Sequence, residues 1–418
     1  MKKISRLLIV AGAVLTSCNS GPGSTELLVS NPLDQPREDA IILISRDEVK
    51  NWTDVPGHML PLLLDGEGNP IPCQADDADE DGTWDELFAL ADLPASGQVK
   101  LSLDFTEPEG YPVFEPRTNL RLGAASLPGY PELTKADRLE GVSYHNYEGR
   151  TGAILQMEGP AWENDRVGFR NYLDQRNGMD IFGKLTGKMV LDSVGVEGRP
   201  SYHEPDSWGM DILKVGTSLG AGGIGYLYRD SMYRVGDNGS GTYDMVFEGP
   251  LRSRFNLTYS DWKVEGLSLE VIHQVEITAG RHYYQGTVTY TGTPEMLDLV
   301  PGIVNMKSDE LHVFEADPNH TALITHDAQA EDTTVLAMAL LVPNEYLLKT
   351  GETRDEGEGI TQTYFAVLEA APGQPVPYRF YALWEKEDPR WASLDEVKRY
   401  LGTEAARWTQ SVTYQVPE

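Results

Sequence analysis

Between Gly159 and Lys184 the chain reads GPAWENDRVGFRNYLDQRNGMDIFGK, and these residue types are the ones best suited to chemistry. Trp162, Glu163, Asp165, Arg166, Arg170, Tyr172, Asp174, Arg176, Asn177, Asp180 and Lys184 fall within 26 positions. In an extended chain successive side chains alternate faces. Val167, Phe169 and Leu173 then share one side, and Arg170, Tyr172, Asp174 and Arg176 share the other. A face that mixes both charge signs with a phenol lines a polar cleft. It is equally what a solvated strand with surface ion pairs looks like, each pair worth ~0–1 kcal/mol. Trp162 and Asn177 flank the run beside charged groups and favour the cleft.

Eight histidines offer proton transfer. No pair has the HxxxH or HxH spacing of a zinc site. His145 lies in Ser143-Tyr144-His145-Asn146-Tyr147, and His203 opens Tyr202-His203-Glu204-Pro205-Asp206-Ser207-Trp208. Two Tyr-His steps on either side of the charged stretch make these two the candidates. A lone histidine is more often structural, and His273, in an apolar run, reads first as a core or cleft-lining residue. No GxSxG elbow is present, against an α/β-hydrolase. Glu163 and Asp165 share a strand face and have the form of a glycosidase pair, although spacing alone does not fix their separation across a sugar.

A second constellation is Asp77-Ala78-Asp79-Glu80-Asp81-Gly82-Thr83-Trp84-Asp85. Asp at alternate positions before a Gly matches the opening of a calcium loop, because calcium takes six to eight hard oxygens. Asp77, Asp79, Asp81 and Asp85 are the expected ligands, with the Thr83 carbonyl. Phe88 stands where an EF-hand has its bidentate Glu, so the expectation is a structural calcium loop between strands. The bland alternative is an acidic turn. No Gly-rich phosphate loop appears, so no organic cofactor is expected.

The elements that position these residues read as strands. Short apolar runs broken by Asn, Pro, Asp and Gly fit a small β-sandwich over 26–107. EPEGYPVFEP then reads as a linker. From 115 to 418 longer period-two runs, such as RFNLTY and GTVTYTG, predict a large two-sheet sandwich with few helices. One helix is marked by Ser393 as N-cap, Glu396 three residues on, and a stop at Gly402. The fold class is therefore all-β.

Residues 1–17 read as a signal peptide, with Lys2, Lys3 and Arg6 before a short apolar core. Leu15-Thr16-Ser17-Cys18 resembles a lipobox, which makes Cys18 the lipidated residue and 18–25 a tether. The expected protein is exported and membrane-anchored only through that lipid, facing the periplasm. Cys73 then has no partner and reads as buried. Net charge is −31, and −34 without the leader's three cations. So acidic a chain is not a general nucleic-acid or anionic-membrane binder, and any acidic substrate must be drawn by a local basic pocket.

Trp162-Glu163-Asn164-Asp165, Gly168-Phe169-Arg170, Tyr172-Leu173-Asp174, Arg176-Asn177, Asp180-Ile181-Phe182-Gly183-Lys184, Tyr202-His203 and Trp208-Gly209-Met210-Asp211 together resemble the family called domain of unknown function 4861. The resemblance covers most of the chain after the leader. It implies an exported product of a Bacteroidetes polysaccharide-utilisation locus, with a carbohydrate-lyase or mutarotase-like sandwich. It further implies an oligosaccharide dehydratase of ulvan breakdown, which removes water from a non-reducing-end glucuronyl unit and leaves a 4,5-unsaturated uronyl end. Such a reaction needs a cation for the carboxylate, a base for the C5 proton and an acid for the leaving hydroxyl. Arg166, Arg170 and Lys184 are candidates for the first. Tyr172, His145 and His203 are candidates for base and acid, with an adjacent Arg expected to lower the phenol's pKa. Trp162, Asp165, Asp174, Arg176, Asn177, Tyr202 and Trp208 are expected to contact an oligosaccharide that carries uronic acid. A glycosidase using Glu163 and Asp174, or a non-catalytic glycan-binding lipoprotein, remain the alternatives.

Overall fold

A computed structural model describes residues 24–140 and 152–417. Strands dominate, and no described helix is long and apolar enough to cross a membrane. The N-terminal part is a sandwich of a four-stranded and a three-stranded sheet. One sheet runs Thr413–Gln415, Thr25–Ser30, Gln98–Thr106, Leu60–Leu64, and the other Arg37–Ser45, Glu86–Leu93, Cys73–Asp76. Leu27, Val29, Ile42, Ile44, Leu87 and Leu103 form its core. Its edge strand Thr413–Gln415 comes from the far end of the chain, with Leu28 opposite Gln415. The sequence reading placed that segment in the large unit. A three-residue strand gives no pattern that says which sheet it joins.

The larger part is built on a nine-stranded antiparallel sheet from His312–Asp317 at one edge to Lys135–Asp137 at the other. Two five-stranded sheets face it. One contains Thr118–Arg121, Ala161–Asn164, Val167–Asn171, Met179–Lys184 and Gly209–Asp211. The other is centred on Ala221–Tyr228, Leu297–Val304 and Thr363–Ala370. One continuous core joins all three, with Phe169 and Ile181 from the first, Leu299 and Leu368 from the second, and Phe255, Tyr284 and Phe380 from the large sheet.

The other face of the large sheet is covered by the helix Leu394–Thr409, whose Val397, Leu401 and Ala405 pack on Tyr283, Ala339 and Tyr381. Ser393 caps it by accepting the Glu396 amide hydrogen, as expected. Gly402 does not end it. A mid-helix Gly costs roughly 0.5–1 kcal/mol, and the apolar contacts of Leu401 and Ala405 on either side outweigh that.

Candidate active site

The hairpin Val167–Asn171 and Met179–Lys184 fixes the site by its register, with Arg170 opposite Asp180 and Phe169 opposite Ile181. Alternation sends Phe169, Ile181 and Met179 into the core and Arg170, Asp180 and Phe182 to the other face. The next strand adds Asp211, which pairs with Phe182. Met157, Leu191, Val194 and Tyr202 cover this face with Phe182, and the half-buried Trp208 meets Phe182 edge-on at 6.0 Å.

Arg170 is 1 % exposed and spends its whole guanidinium inside the protein. Nε donates to Asp180 at 3.1 Å, and one terminal nitrogen to Tyr202 Oη at 2.7 Å and the Met157 carbonyl at 3.4 Å. The other donates to Asp180 at 2.6 Å, Asp211 at 2.9 Å and Tyr172 Oη at 2.8 Å. Tyr172 Oη in turn donates to Asp180 at 2.7 Å. His203, with a side chain 44 % exposed, puts Nδ1 3.2 Å from Asp211. A hydrogen-bonded chain thus runs from a surface imidazole through Asp211, Arg170 and Asp180 to a phenol.

Burial and the neighbouring Asp211 charge push the Asp180 carboxyl up to about 6, against the pull of Arg170. Burial also pushes the Tyr172 phenol well above its ordinary value; Arg170 lowers it, while Asp180 and Asp211 raise it further. The expectation that Arg170 would make Tyr172 a base is therefore corrected. Burial, helped by two carboxylates, outweighs one guanidinium, and the phenol keeps its proton. Arg170 is likewise not open to a substrate carboxylate, because its donors already have acceptors.

Other expected site residues lie elsewhere or do other work. Trp162 is buried in the core at 5.1 Å from Phe255 and 5.4 Å from Tyr284, so it stacks on no sugar. Its register opposite Phe169 puts it on the apolar face. Asp165 accepts from Arg117 at 2.8 Å and from the Gly280 amide at 2.6 Å. Arg166 is half-exposed and pairs with Glu387 at 3.4 Å. It stands four positions from Arg170, roughly 13 Å along a strand, and does not join the cluster. Lys184 is buried against Glu163, at 2.5 Å, and the Asn164 carbonyl, at 2.6 Å. Glu163 also accepts the Val190 and Leu191 amides, and Asp174 is buried against Arg176 at 2.6 Å, so neither serves as a glycosidase carboxylate. Asn177, at φ 34°, ties the turn to Tyr259 Oη and the Val235 carbonyl. Arg176 stays beside the cluster, its guanidinium 4.1 Å from the Tyr172 ring centre and 2.9 Å from Glu158. His145 lies outside the described residues, as does Cys18.

Asp180 and Asp211 were not singled out as site residues from the sequence. The signal was present: Gly178-Met179-Asp180-Ile181 recurs as Gly209-Met210-Asp211-Ile212. Each tetrad buries its Met in the core and turns its Asp towards Arg170.

His273 is a core residue, 2 % exposed, with Nε2 2.9 Å from Tyr378 Oη, and burial lowers its pKa to about 3. Cys73 is buried and its thiol pushed up by burial, which leaves it unreactive. Of the expected calcium ligands, Asp77, Asp79 and Asp85 bring oxygens within 4.8 Å of one another. Asp81 does not join them. Its carboxylate accepts the Thr83 amide at 2.8 Å, an Asx-type turn that competes with ligation.

Comparison with known proteins bears on the family. Uncharacterized protein P7 from Formosa agariphila is 24 % identical over 315 residues, 71 % of this chain and 72 % of that protein. An α-mannosidase from Enterococcus faecalis superposes with a TM-score of 0.46 at 8 % identity, and a protein in glycosyl hydrolase family 38 from the same organism gives 0.46 at 8 %. The match covers 94 % of this chain in both cases, yet the chain spans only 46 % and 47 % of those two proteins. The description of the family Domain of unknown function (DUF4861) matches residues 29–413, and the chain belongs to that family.

Proposed function

We propose that this protein is an exported carbohydrate-active enzyme that dehydrates a non-reducing-end glucuronyl unit of an oligosaccharide to a 4,5-unsaturated uronyl end. The observation that carries the reading is the hydrogen-bonded chain His203–Asp211–Arg170–Asp180–Tyr172. Asp211 accepts from Nδ1 of His203 and so holds the tautomer whose lone pair lies on Nε2. His203 takes the C5 proton, and the electron pair left behind forms the C4–C5 double bond. The C4–O bond breaks, and the hydroxyl leaves as water with a proton from Tyr172. The phenol is the right donor because its surroundings keep it protonated. Asp180, which titrates near 6, resupplies it. Arg176, already shared by Asp174 and Glu158 but with a side chain 30 % exposed where Arg170 is buried, is the cation that the uronate carboxyl reaches, while Arg170 positions the two carboxylates. This chemistry needs no organic cofactor.

Incubation with a glucuronyl-ended oligosaccharide should generate the absorbance of an unsaturated uronyl group without shortening the chain. His203→Ala should lower that rate ~10²–10⁴-fold, the usual cost of losing a general base, with an unchanged melting temperature. Chain shortening without the absorbance would make the protein a glycosidase, and neither product would make it a binding protein. Attachment is proposed through a lipid on Cys18. Cys18→Ser should move the protein from the membrane fraction to the soluble one, and persistent membrane association of the variant counts against the anchor.

A further inference from the structure

A polar cavity lies at the other end of the site strand, between the Gly280–His282 turn, the segment 35–39 and the helix Leu394–Thr409. Its volume is about 320 Å³. Five arginines line it: Arg166, Arg281, Arg390, Arg399 and Arg407. The chain as a whole has 65 acidic and 34 basic residues, so this local excess of cations runs against the global field. Four of the five also reach a carboxylate, Arg166 at Glu387, Arg390 at Asp388, Arg399 at Glu396 and Arg407 at Glu404. The first three pairs are solvent-exposed and worth only ~0–1 kcal/mol each, so an incoming anion competes for their donors. Asp39 is held in a two-point pair by Arg117, Glu396 is taken by Arg399, and Glu38 is exposed.

Arg281 is the informative member. It is 7 % exposed, forms no ion pair among the described residues, and its side chain donates to the Asp39 carbonyl. Arg407 Nε is buried with no hydrogen-bond partner, although its terminal nitrogen reaches Glu404 at 2.7 Å. Beside them the buried Arg37 is lowered below its ordinary value, by burial first and then by the charges of Arg407 and Arg281. Four guanidiniums, Arg37, Arg281, Arg379 and Arg407, thus share one buried carboxylate, Glu404, which holds Arg281 above its ordinary value against burial. One carboxylate among four guanidiniums leaves cationic charge uncompensated, and an anion in the cavity relieves their mutual repulsion.

We propose that this cavity binds a compact oxyanion, the carboxylate or sulfate ester of an acidic saccharide, at a site separate from the Arg170 cluster. Only the saccharide carrier rests on the dehydratase reading; the oxyanion chemistry follows from the arginines. Planar guanidiniums suit both groups through paired N–H donors.

The test is calorimetric titration of the full chain at low salt with inorganic sulfate, with glucuronate, and with glucose as the neutral control. Saturable binding of sulfate, glucuronate or both is expected, weakening as sodium chloride rises. Whichever anion binds identifies the source. Arg281→Met should weaken it on the order of tenfold or more, the scale of a lost charge-assisted contact. The exposed pair Arg166→Gln with Arg399→Gln should also weaken it and leaves the fold intact. His203→Ala should leave it unchanged. No binding of either anion, or binding indifferent to the Arg166/Arg399 double variant, overturns the proposal. So does loss of binding in His203→Ala, which would place the anion at the Arg170 cluster instead. A protein that binds sulfate here yet yields no unsaturated uronyl product keeps this site and loses the dehydratase.

Discussion

Arg170 is held by two buried carboxylates and two phenols, so its removal leaves Asp180 and Asp211 facing each other without a cation. Breaking a buried pair from one side costs roughly 3–5 kcal/mol. Arg170→Ala should therefore lower the melting temperature markedly as well as abolish activity, unlike His203→Ala. An unchanged melting temperature in Arg170→Ala would mean that the cluster is wet and weak. Asp180 adds a pH signature. Its folded pKa, about 6, lies above the ordinary carboxylate value near ~3.9, so the folded protein holds this proton more tightly than the unfolded chain. The stability it contributes is complete below pH ~4 and is lost as pH rises to about 6. The stability difference between wild type and Asp180→Asn should thus shrink as pH goes from 4 to 7, by thermal melts at matched salt. A constant difference would show that Asp180 does not titrate there. The sequence made Arg170 and Tyr172 legible, because positions two apart on a strand share a face. It misled at Trp162, whose charged neighbours drew attention away from the alternation that buries it beside Phe169.

The loop Asp77–Asp85 and the helix Leu394–Thr409 show what an element's own pattern does and does not decide. In the loop, backbone amides already claim carboxylate oxygens: Gly82 donates to Asp77 at 2.8 Å and Ala78 to Asp85 at 2.7 Å. These bonds hold the loop in a form where Asp77, Asp79 and Asp85 converge, and calcium is proposed to complete it through their remaining oxygens. Asp77→Ala with Asp79→Ala should lower the melting temperature and remove its sensitivity to a chelator. If chelator leaves the wild type unmoved and no calcium copurifies, the loop is an acidic turn. In the helix, the N-cap was readable from Ser393 and Glu396 alone. Its end was not, because what carries it past Gly402 is the sheet surface beneath Ala405, contributed by strands some 20 to 120 residues earlier.

At the scale of the molecule, period-two patterning gave the all-β class, since alternation is a local property. The division into three facing sheets was not readable, because pairing such as Leu299 with Leu368 joins segments with many residues between them. The same holds for the pairing of Thr25–Ser30 with Thr413–Gln415. There Tyr414 Oη lies 3.0 Å from the Leu43 carbonyl and 2.9 Å from Glu48, sharing its one hydrogen between them, and its ring meets Trp52 edge-on at 5.7 Å. Tyr414→Ala should cost about 1–3 kcal/mol in a denaturant titration and expose Trp52 to quenching. A cost near zero would mean that the seventh strand is an ornament of the small sandwich.

That strand also sets an order of events. The sheet that receives it is otherwise built from residues 25–106, yet its edge stays open until residue 415 has been made. Contacts of such sequence separation form late and slowly, since loop closure must come before them. A newly made chain therefore presents an unpaired strand edge until that strand arrives, and until then the edge is open to pairing with another copy.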